Sequence, residues 1–335
     1  MYKYAIVGFG GLGKLHLSNL EKLAKQRGDF KLVAICGADK SSFQKNIKIN
    51  LGEIDLSLID FSSCNFYNNY KELIEKENLD FVISTLPTYL HEEFAIYALS
   101  NGLHVFSEKP MALSVEGCRN MIKAANENNK KLMIGHCLRF DGAYSLVKDY
   151  IDNNTFGRVY RAEFIRYSQL PVWSWDNWLL DPKRSGGCVL DMHIHDVDLI
   201  NWYFGKPKSL RSVTTQKKTE LESVFTQYFY NDLFVISNAD WSMPQTFPFE
   251  AKCIINFEKA TVVLTDGKIT VHKDDETFCP EINSEHYFME EMRSFLDYVI
   301  CDIECEKTSL QSICDSVSIA LSEIESASKG ITICF

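Results

Sequence analysis

The feature that most limits what this chain can fold into is a turn near its start. The apolar run Tyr4-Ala5-Ile6-Val7 stops at Gly8-Phe9-Gly10-Gly11-Leu12-Gly13, and leucines then follow at 12, 15, 17, 20 and 23. That leucine spacing is close to helical, so the glycines join a strand to a helix. In Gly8-x-Gly10-x-x-Gly13 each glycine has its own reason. The first permits the tight turn, the second lets backbone approach a pyrophosphate, and the third lets helix and strand pack closely. Free N–H groups and the positive end of the helix dipole then meet the anion. A dinucleotide held by Gly8, Phe9, Gly10, Gly11, Leu12 and Gly13 is therefore expected.

The following segments extend this beginning into a sheet. Candidate strands at 31–36, 80–86, 103–106 and 131–135 alternate with candidate helices at 70–77, 89–101 and 114–129. Strands alternating with helices imply a parallel, doubly wound sheet. After about residue 140 the language changes. A helix at 141–153 leads into strand-like segments at 158–167, 208–216, 222–230, 233–241, 249–257, 260–264 and 268–272, many of alternating polarity and several joined by short turns. Such alternation reads as antiparallel sheet. Helical periodicity returns at 284–302 and 307–328. The 335 residues are too many for one ordinary core. The expectation is an α/β chain: a Rossmann-type, doubly wound parallel sheet over 1–135, then an α+β domain over 136–335 with a large, mostly antiparallel open sheet.

Composition excludes several functions. The net charge is −10, which disfavours nucleic acid or an anionic membrane as the main partner. The 11 cysteines are scattered, with no C-x-x-C pair, unlike a disulfide framework or a zinc site. No apolar run reaches the roughly 18 residues a membrane span needs. The opening residues lack signal-peptide anatomy. A cytoplasmic protein is expected.

The cofactor's ribose is less constrained. An acid usually ends the second strand and binds the ribose 2′-OH. Here the strand runs Ile35-Cys36-Gly37-Ala38-Asp39-Lys40, with Gly37 at the acidic position. Either Asp39 reaches the ribose, or Lys40 with Ser41 and Ser42 accepts a 2′-phosphate. Both NAD and NADP stay open.

Several segments, in order, resemble the Gfo/Idh/MocA oxidoreductase family, named for glucose–fructose oxidoreductase and inositol dehydrogenase. They are the opening from Ala5 to His16, Ser84-Thr85-Leu86-Pro87-Thr88-Tyr89-Leu90-His91, Ser107-Glu108-Lys109-Pro110, Gly135 to Phe140, and Gly186-Gly187 through Asp191-Met192-His193-Ile194-His195-Asp196. The resemblance covers nearly the whole chain. It implies hydride transfer between a nicotinamide and a secondary alcohol or ketone of a sugar, inositol or related polyol, and a sheet often used to form a homodimer or homotetramer. It also implies that Thr85, Pro87, His91 and Glu108 line the cofactor cleft.

Alcohol oxidation needs a group to take the proton as the cofactor takes the hydride. Lys109 follows a parallel strand, at the end where ligands sit in such sheets, and it is placed beside both cofactor and substrate. Histidine titrates near neutrality, which makes His195 the natural base. Asp191 lies four residues earlier, on the same face of a helix. By resemblance Asp191 and His195 join Lys109 around the substrate.

His193 is an extra histidine in this run and is assigned to the substrate pocket. No metal is expected, because i, i+2 histidines do not share a helix face and there is no H-E-x-x-H. Trp175 and Trp178 either wall a sugar-like ligand or pack. Arg166 either meets substrate or forms an ion pair on the sheet. Two other activities share these residues: an NAD-dependent glycosidase working through transient oxidation, and a ligand sensor without catalysis.

Overall fold

In the computed structural model, residues 1–37, 47–49, 52–54, 56, 57, 59–265, 267–282 and 285–335 are described. The elements begin β1 (Tyr2–Val7), α1 (Gly11–Arg27), β2 (Phe30–Cys36), β3 (Ile47–Ile49), β4 (Gly52–Ile54), β5 (Asn65–Tyr67), α2 (Tyr70–Lys76), β6 (Phe81–Ser84), α3 (His91–Ser100), β7 (His104–Glu108), α4 (Val115–Glu127) and β8 (Leu132–Gly135). They continue α5 (Gly142–Asp152), β9 (Val159–Gln169), α6 (Pro182–Ser185), α7 (Ile194–Phe204), β10 (Ser209–Thr215), β11 (Ser223–Phe229), β12 (Phe234–Met243), β13 (Glu250–Phe257), β14 (Thr261–Thr265), β15 (Lys268–His272), β16 (Thr277–Phe278), α8 (Tyr287–Ile300), α9 (Leu310–Lys329) and β17 (Ile333–Cys334).

The chain forms two units. The first comprises Met1–Ala112, Glu116–Cys137 and His286–Leu310. Its six-stranded sheet has the order β5-β2-β1-β6-β7-β8 and is parallel throughout. Strands β6 and β8 are buried at every residue, as a sheet covered on both faces requires. The order reverses at β1, so the glycine turn sits at the switch point where such sheets bind ligands.

Where the boundary between units falls is a finding of the structure. A single division into 1–135 and 136–335 is not what the chain does, because α8 returns to the first unit. The reason is the apolar stripe Phe288, Met292, Phe295, Leu296 and Val299, spaced for one helix face. Phe295 meets Phe81 and Phe106 at ring-centroid distances of 5.7 and 5.6 Å, and Phe288 meets His16 at 5.7 Å. Each such side chain contributes about 1.5–3 kcal/mol by leaving water.

The second unit comprises Leu113–Val115, Leu138–Glu285 and Gln311–Phe335. Its nine-stranded sheet has the order β16-β15-β14-β13-β9-β12-β11-β10-β17. Only the β12–β9 pair is parallel, so the sheet is mixed and mostly antiparallel. Strand β11 alternates buried and open residues, one face turned to helices and one away. Helices α7 and α9 cover the inner face: Asp196 of α7 binds Arg166 of β9, and Ser326 of α9 accepts the Ser212 N–H of β10.

Candidate functional site

Two of the three motif glycines are required by the protein's own backbone. Gly8 has φ 90°, and a Cβ there would stand 2.7 Å from the carbonyl carbon and oxygen of Thr85. A Cβ on Gly13 would stand 2.3 Å from the Gly8 oxygen. Gly10 differs, since a Cβ there would meet nothing within 4 Å. Gly10 is also the N-cap of α1, with no side chain capping the helix and no acid in its first turn. An open, uncapped helix N-terminus beside a tightly closed turn suits a pyrophosphate. These residues fit a dinucleotide.

Neighbouring loops brace the turn. The Thr85 hydroxyl donates to the Gly8 carbonyl, and the Gly8 N–H donates to Cys36 O at 3.0 Å. The two ring nitrogens of His91 lie 2.8 Å from the carbonyl oxygens of Leu86 and Pro110. His91 thus bridges the loop containing Pro87 to the loop containing Lys109. Burial lowers its pKa, against the opposing pull of the two carbonyls; in its neutral form the ring has one N–H and donates to one of the two carbonyls at a time. Phe9 is buried and Leu12 partly so. Gly37 has φ 86° and donates its N–H to Tyr67 O at 3.0 Å. Asp39 and Lys40 lie outside the described residues.

Glu108 ends β7, and Lys109 follows it. Lys109 is partly exposed, while Glu108 is buried. The Glu108 carboxylate turns inward, with Oε1 at 2.6 Å from His16 Nε2 and Oε2 accepting the Lys109 N–H at 3.3 Å. Burial pushes the Glu108 pKa up, but the hydrogen bond and charge of His16 outweigh it, and the carboxyl lies below its ordinary range. Donor atoms of His16, Glu108 and the wholly buried Glu291 of α8 lie within 4.8 Å of one another.

In the second unit, Gly186 and Gly187, at φ 79° and 65°, turn the chain into a π-helical turn at Val189–His193 that runs directly into α7. Here the structure differs from the regular helix expected. Asp191 sits in the π-turn and His195 in the first turn of α7, and both are partly exposed. π-turns inside helices are frequent at functional sites.

The residues around this pair are buried and engaged with one another. Arg166 Nε and Nη2 donate to Asp196 at 2.9 and 2.7 Å, a bidentate pair. Arg139 binds Asp198 the same way, at 2.8 and 2.7 Å. His193 Nε2 lies 3.3 Å from Glu323 Oε2 on α9 and 3.3 Å from the Tyr228 hydroxyl, which donates to Glu323. Burial opposes a charge on His193, yet Glu323 and Asp196 together raise its pKa to about 9. Of the two roles the sequence leaves to Arg166, the structure shows an ion pair, with Asp196; His193, expected in the substrate pocket, has its polar contacts with Glu323 and Tyr228. Trp175 is 74% exposed and Trp178 partly so, on a segment tied to α6 by the Ser185 hydroxyl donating to Leu179 O at 2.9 Å.

Sequence reasoning missed Glu291, Glu323 and Tyr228. A signal existed for the glutamates: Glu291 falls on the apolar stripe of α8, and Glu323 on the buried face of α9 with Ile313, Val317 and Ala320. A lone acid on an apolar stripe implies a buried partner.

The first unit has the architecture and glycine cradle of a dinucleotide-binding oxidoreductase. Residues 2–136 match the oxidoreductase family with NAD-binding Rossmann fold, and residues 144–269 match the GFO/IDH/MocA C-terminal domain. The chain belongs to the GFO/IDH/MocA family.

Among its relatives, 2,7-anhydro-N-acetylneuraminate hydratase of Mediterraneibacter gnavus is 27% identical over 205 residues, 60% of this chain and 49% of that protein. Inositol 2-dehydrogenase of Salmonella paratyphi B is 27% identical over 231 residues, 65% of this chain and 62% of that one. The matched regions thus span between about half and three-fifths of these relatives' lengths. The crystal structure of myo-inositol 2-dehydrogenase from Lactobacillus plantarum shares the fold, with TM-score 0.79 and 23% identity over 100% of this chain and 99% of that one.

Proposed function

We propose that this protein is an NAD(P)-dependent dehydrogenase or reductase acting on a secondary alcohol or ketone of a sugar, inositol or related polyol. The observation that carries the reading is the cradle: Gly8 and Gly13 closed by backbone, Gly10 open at an uncapped helix start, and Lys109 directly after a strand of the same sheet. The inositol dehydrogenase relative supports the substrate class.

The nicotinamide, when bound, takes or gives the hydride. Gly10, Gly11 and Leu12 hold the phosphates at the start of α1, and Thr85, Pro87 and His91 shape the cleft wall. Lys109 donates to the substrate oxygen and steadies its charge. His195 takes or returns the proton, and Asp191 binds a substrate hydroxyl beside it. Trp175 and Trp178 offer flat faces to the C–H surface of a polyol ring. Gly37 brings no carboxylate to the ribose, so NADP is accepted as well as NAD.

The same reading places the protein in a reducing compartment, in keeping with its 11 free cysteines. No helix among the described residues is long and apolar enough to cross a membrane. We also assign the nine-stranded sheet as the surface on which copies associate.

The test is a thermal-shift comparison of NAD, NADH, NADP and NADPH, followed by a polyol and sugar-acid panel read at the nicotinamide absorbance. Stabilisation by at least one cofactor and turnover of at least one polyol are expected. Failure of all four forms to bind would falsify the reading. The relative named as a hydratase favours a second reading, in which oxidation is transient and the overall reaction redox-neutral. Product formed without net NADH accumulation would select it.

A further inference from the structure

Glu291 stands on the apolar stripe of α8 with no solvent exposure. Neither of its carboxyl oxygens has a hydrogen-bond partner among the described residues. The titratable groups clustered with it are His16 from α1 and Glu108 from β7. The rings of Phe106 and Phe288 flank His16 and bring no charge. The nearest cation along β7 is Lys109, whose charge acts on Glu108.

Two carboxylates sharing a dry site do not both ionise; one keeps its proton. The choice between them follows from geometry. Glu108 already has His16 at 2.6 Å on one oxygen and the Lys109 N–H at 3.3 Å on the other, both favouring its anion. Glu291 has no such contact. The proton therefore rests on Glu291, and a carboxylic acid is a donor in need of an acceptor.

We propose that Glu291 is a neutral carboxylic acid whose O–H is directed at the Glu108 carboxylate, and that it is a positioning residue for Lys109. The proposal rests on the reading of Lys109 given above. Three donors, from His16, Glu291 and the Lys109 backbone, then fix Glu108, and Glu108 fixes the backbone at the point where β7 ends and Lys109 begins. The expected protonation agrees with the electrostatics: burial first, and then the charge of Glu108, hold the Glu291 carboxyl well above the usual range.

The test uses the NADH-loaded protein with Glu291→Gln and Glu291→Leu. Glutamine keeps a neutral donor of the same shape, and leucine keeps only the apolar volume. Infrared spectra at neutral pH should show a protonated-carboxyl C=O band in the parent that Glu291→Gln lacks. NADH affinity should then be followed against pH. In Glu291→Leu, Glu108 loses a donor that favours its anion, so the acid-side loss of affinity should move up by about one pH unit, equivalent to a tenfold easier protonation. Glu291→Gln should stay with the parent.

A band unchanged in Glu291→Gln, or a glutamine variant as impaired as the leucine variant, overturns the proposal. So does an equivalent of divalent metal in the parent that Glu291→Gln lacks, because Glu291 would then be an ionised ligand. If Glu291→Leu does not fold, the infrared band and the glutamine profile still decide. None of these readouts needs a substrate, so a protein that turned over no polyol would sink the activity reading and leave this result legible.

Discussion

Gly10 and Gly13 place different demands on side-chain volume, and that difference separates binding from folding. A methyl group at Gly13 collides with the Gly8 carbonyl, at 2.3 Å. Backbone must shift, at a cost of about 1–3 kcal/mol, so Gly13→Ala should lower both the melting temperature and NADH affinity. A methyl group at Gly10 meets no protein atom within 4 Å. Gly10→Ala should leave the melting temperature within a few degrees of the parent yet weaken NADH about tenfold or more, since the methyl group occupies the space the pyrophosphate approaches through. Thermal melts of the apo protein and NADH fluorescence titrations check both. Unchanged NADH affinity in Gly10→Ala would remove the cradle's claim on the phosphates. This much was legible in the sequence, because glycine spacing states where side chains are forbidden. The partners of Glu108 were not: His16 and Glu291 are 92 and 183 residues away in the chain, and nothing local announces a contact across that distance.

At the scale of elements, the π-turn at Val189–His193 and the network behind it are the part of the second unit least visible in the sequence. The spacing of Asp191 and His195 was readable, but the turn was not, because no local propensity marks it. What holds it lies elsewhere: Arg166 on β9, Tyr228 on β11 and Glu323 on α9. Periodicity shows which face of α9 is buried without naming the strand beneath it. The same limit hid the destination of α8, while β5, three residues at the sheet edge, is too short to stand out. The network has a pH signature. The folded pKa of His193, raised to about 9 from an ordinary 6.5, means that the native state holds a proton that the unfolded chain has released. This contribution is complete below pH 6.5, falls as pH rises, and is gone above about 9. Its full size is about 3 kcal/mol. Glu323→Gln removes the leading cause of the shift, so urea unfolding between pH 6.5 and 9 should lose less than half as much stability in the variant as in the parent. Parallel pH profiles for the two proteins would show that Glu323 does not hold the proton on His193.

At the scale of the whole molecule, the second sheet presents apolar groups where a solitary chain has no use for them. On β10, β11 and β12, the residues turned away from the helices include Val213, Phe225, Phe229 and Phe234, exposed by 55, 38, 36 and 39%. They are not scattered. Val213 pairs with Phe225 across the β10–β11 ladder, and Phe229 pairs with Phe234 across β11–β12, their rings 6.1 Å apart. A clustered apolar face on a sheet marks an interaction surface, and a stable interface takes about 800 Å² from each partner. A second copy would supply a matching face through two-fold symmetry, which brings each residue against the same patch on its partner. Light scattering after gel filtration should find a dimer or tetramer at micromolar concentration. Val213→Glu with Phe225→Glu places like charges on both sides of that contact, on a chain already at net charge −10. The double variant should run as a monomer, with an unchanged circular dichroism spectrum and NADH affinity within about twofold of the parent, because neither residue belongs to the nucleotide-binding unit. A parent that is monomeric at these concentrations would refute the assignment of this face. A double variant that stays assembled would move the interface to another surface.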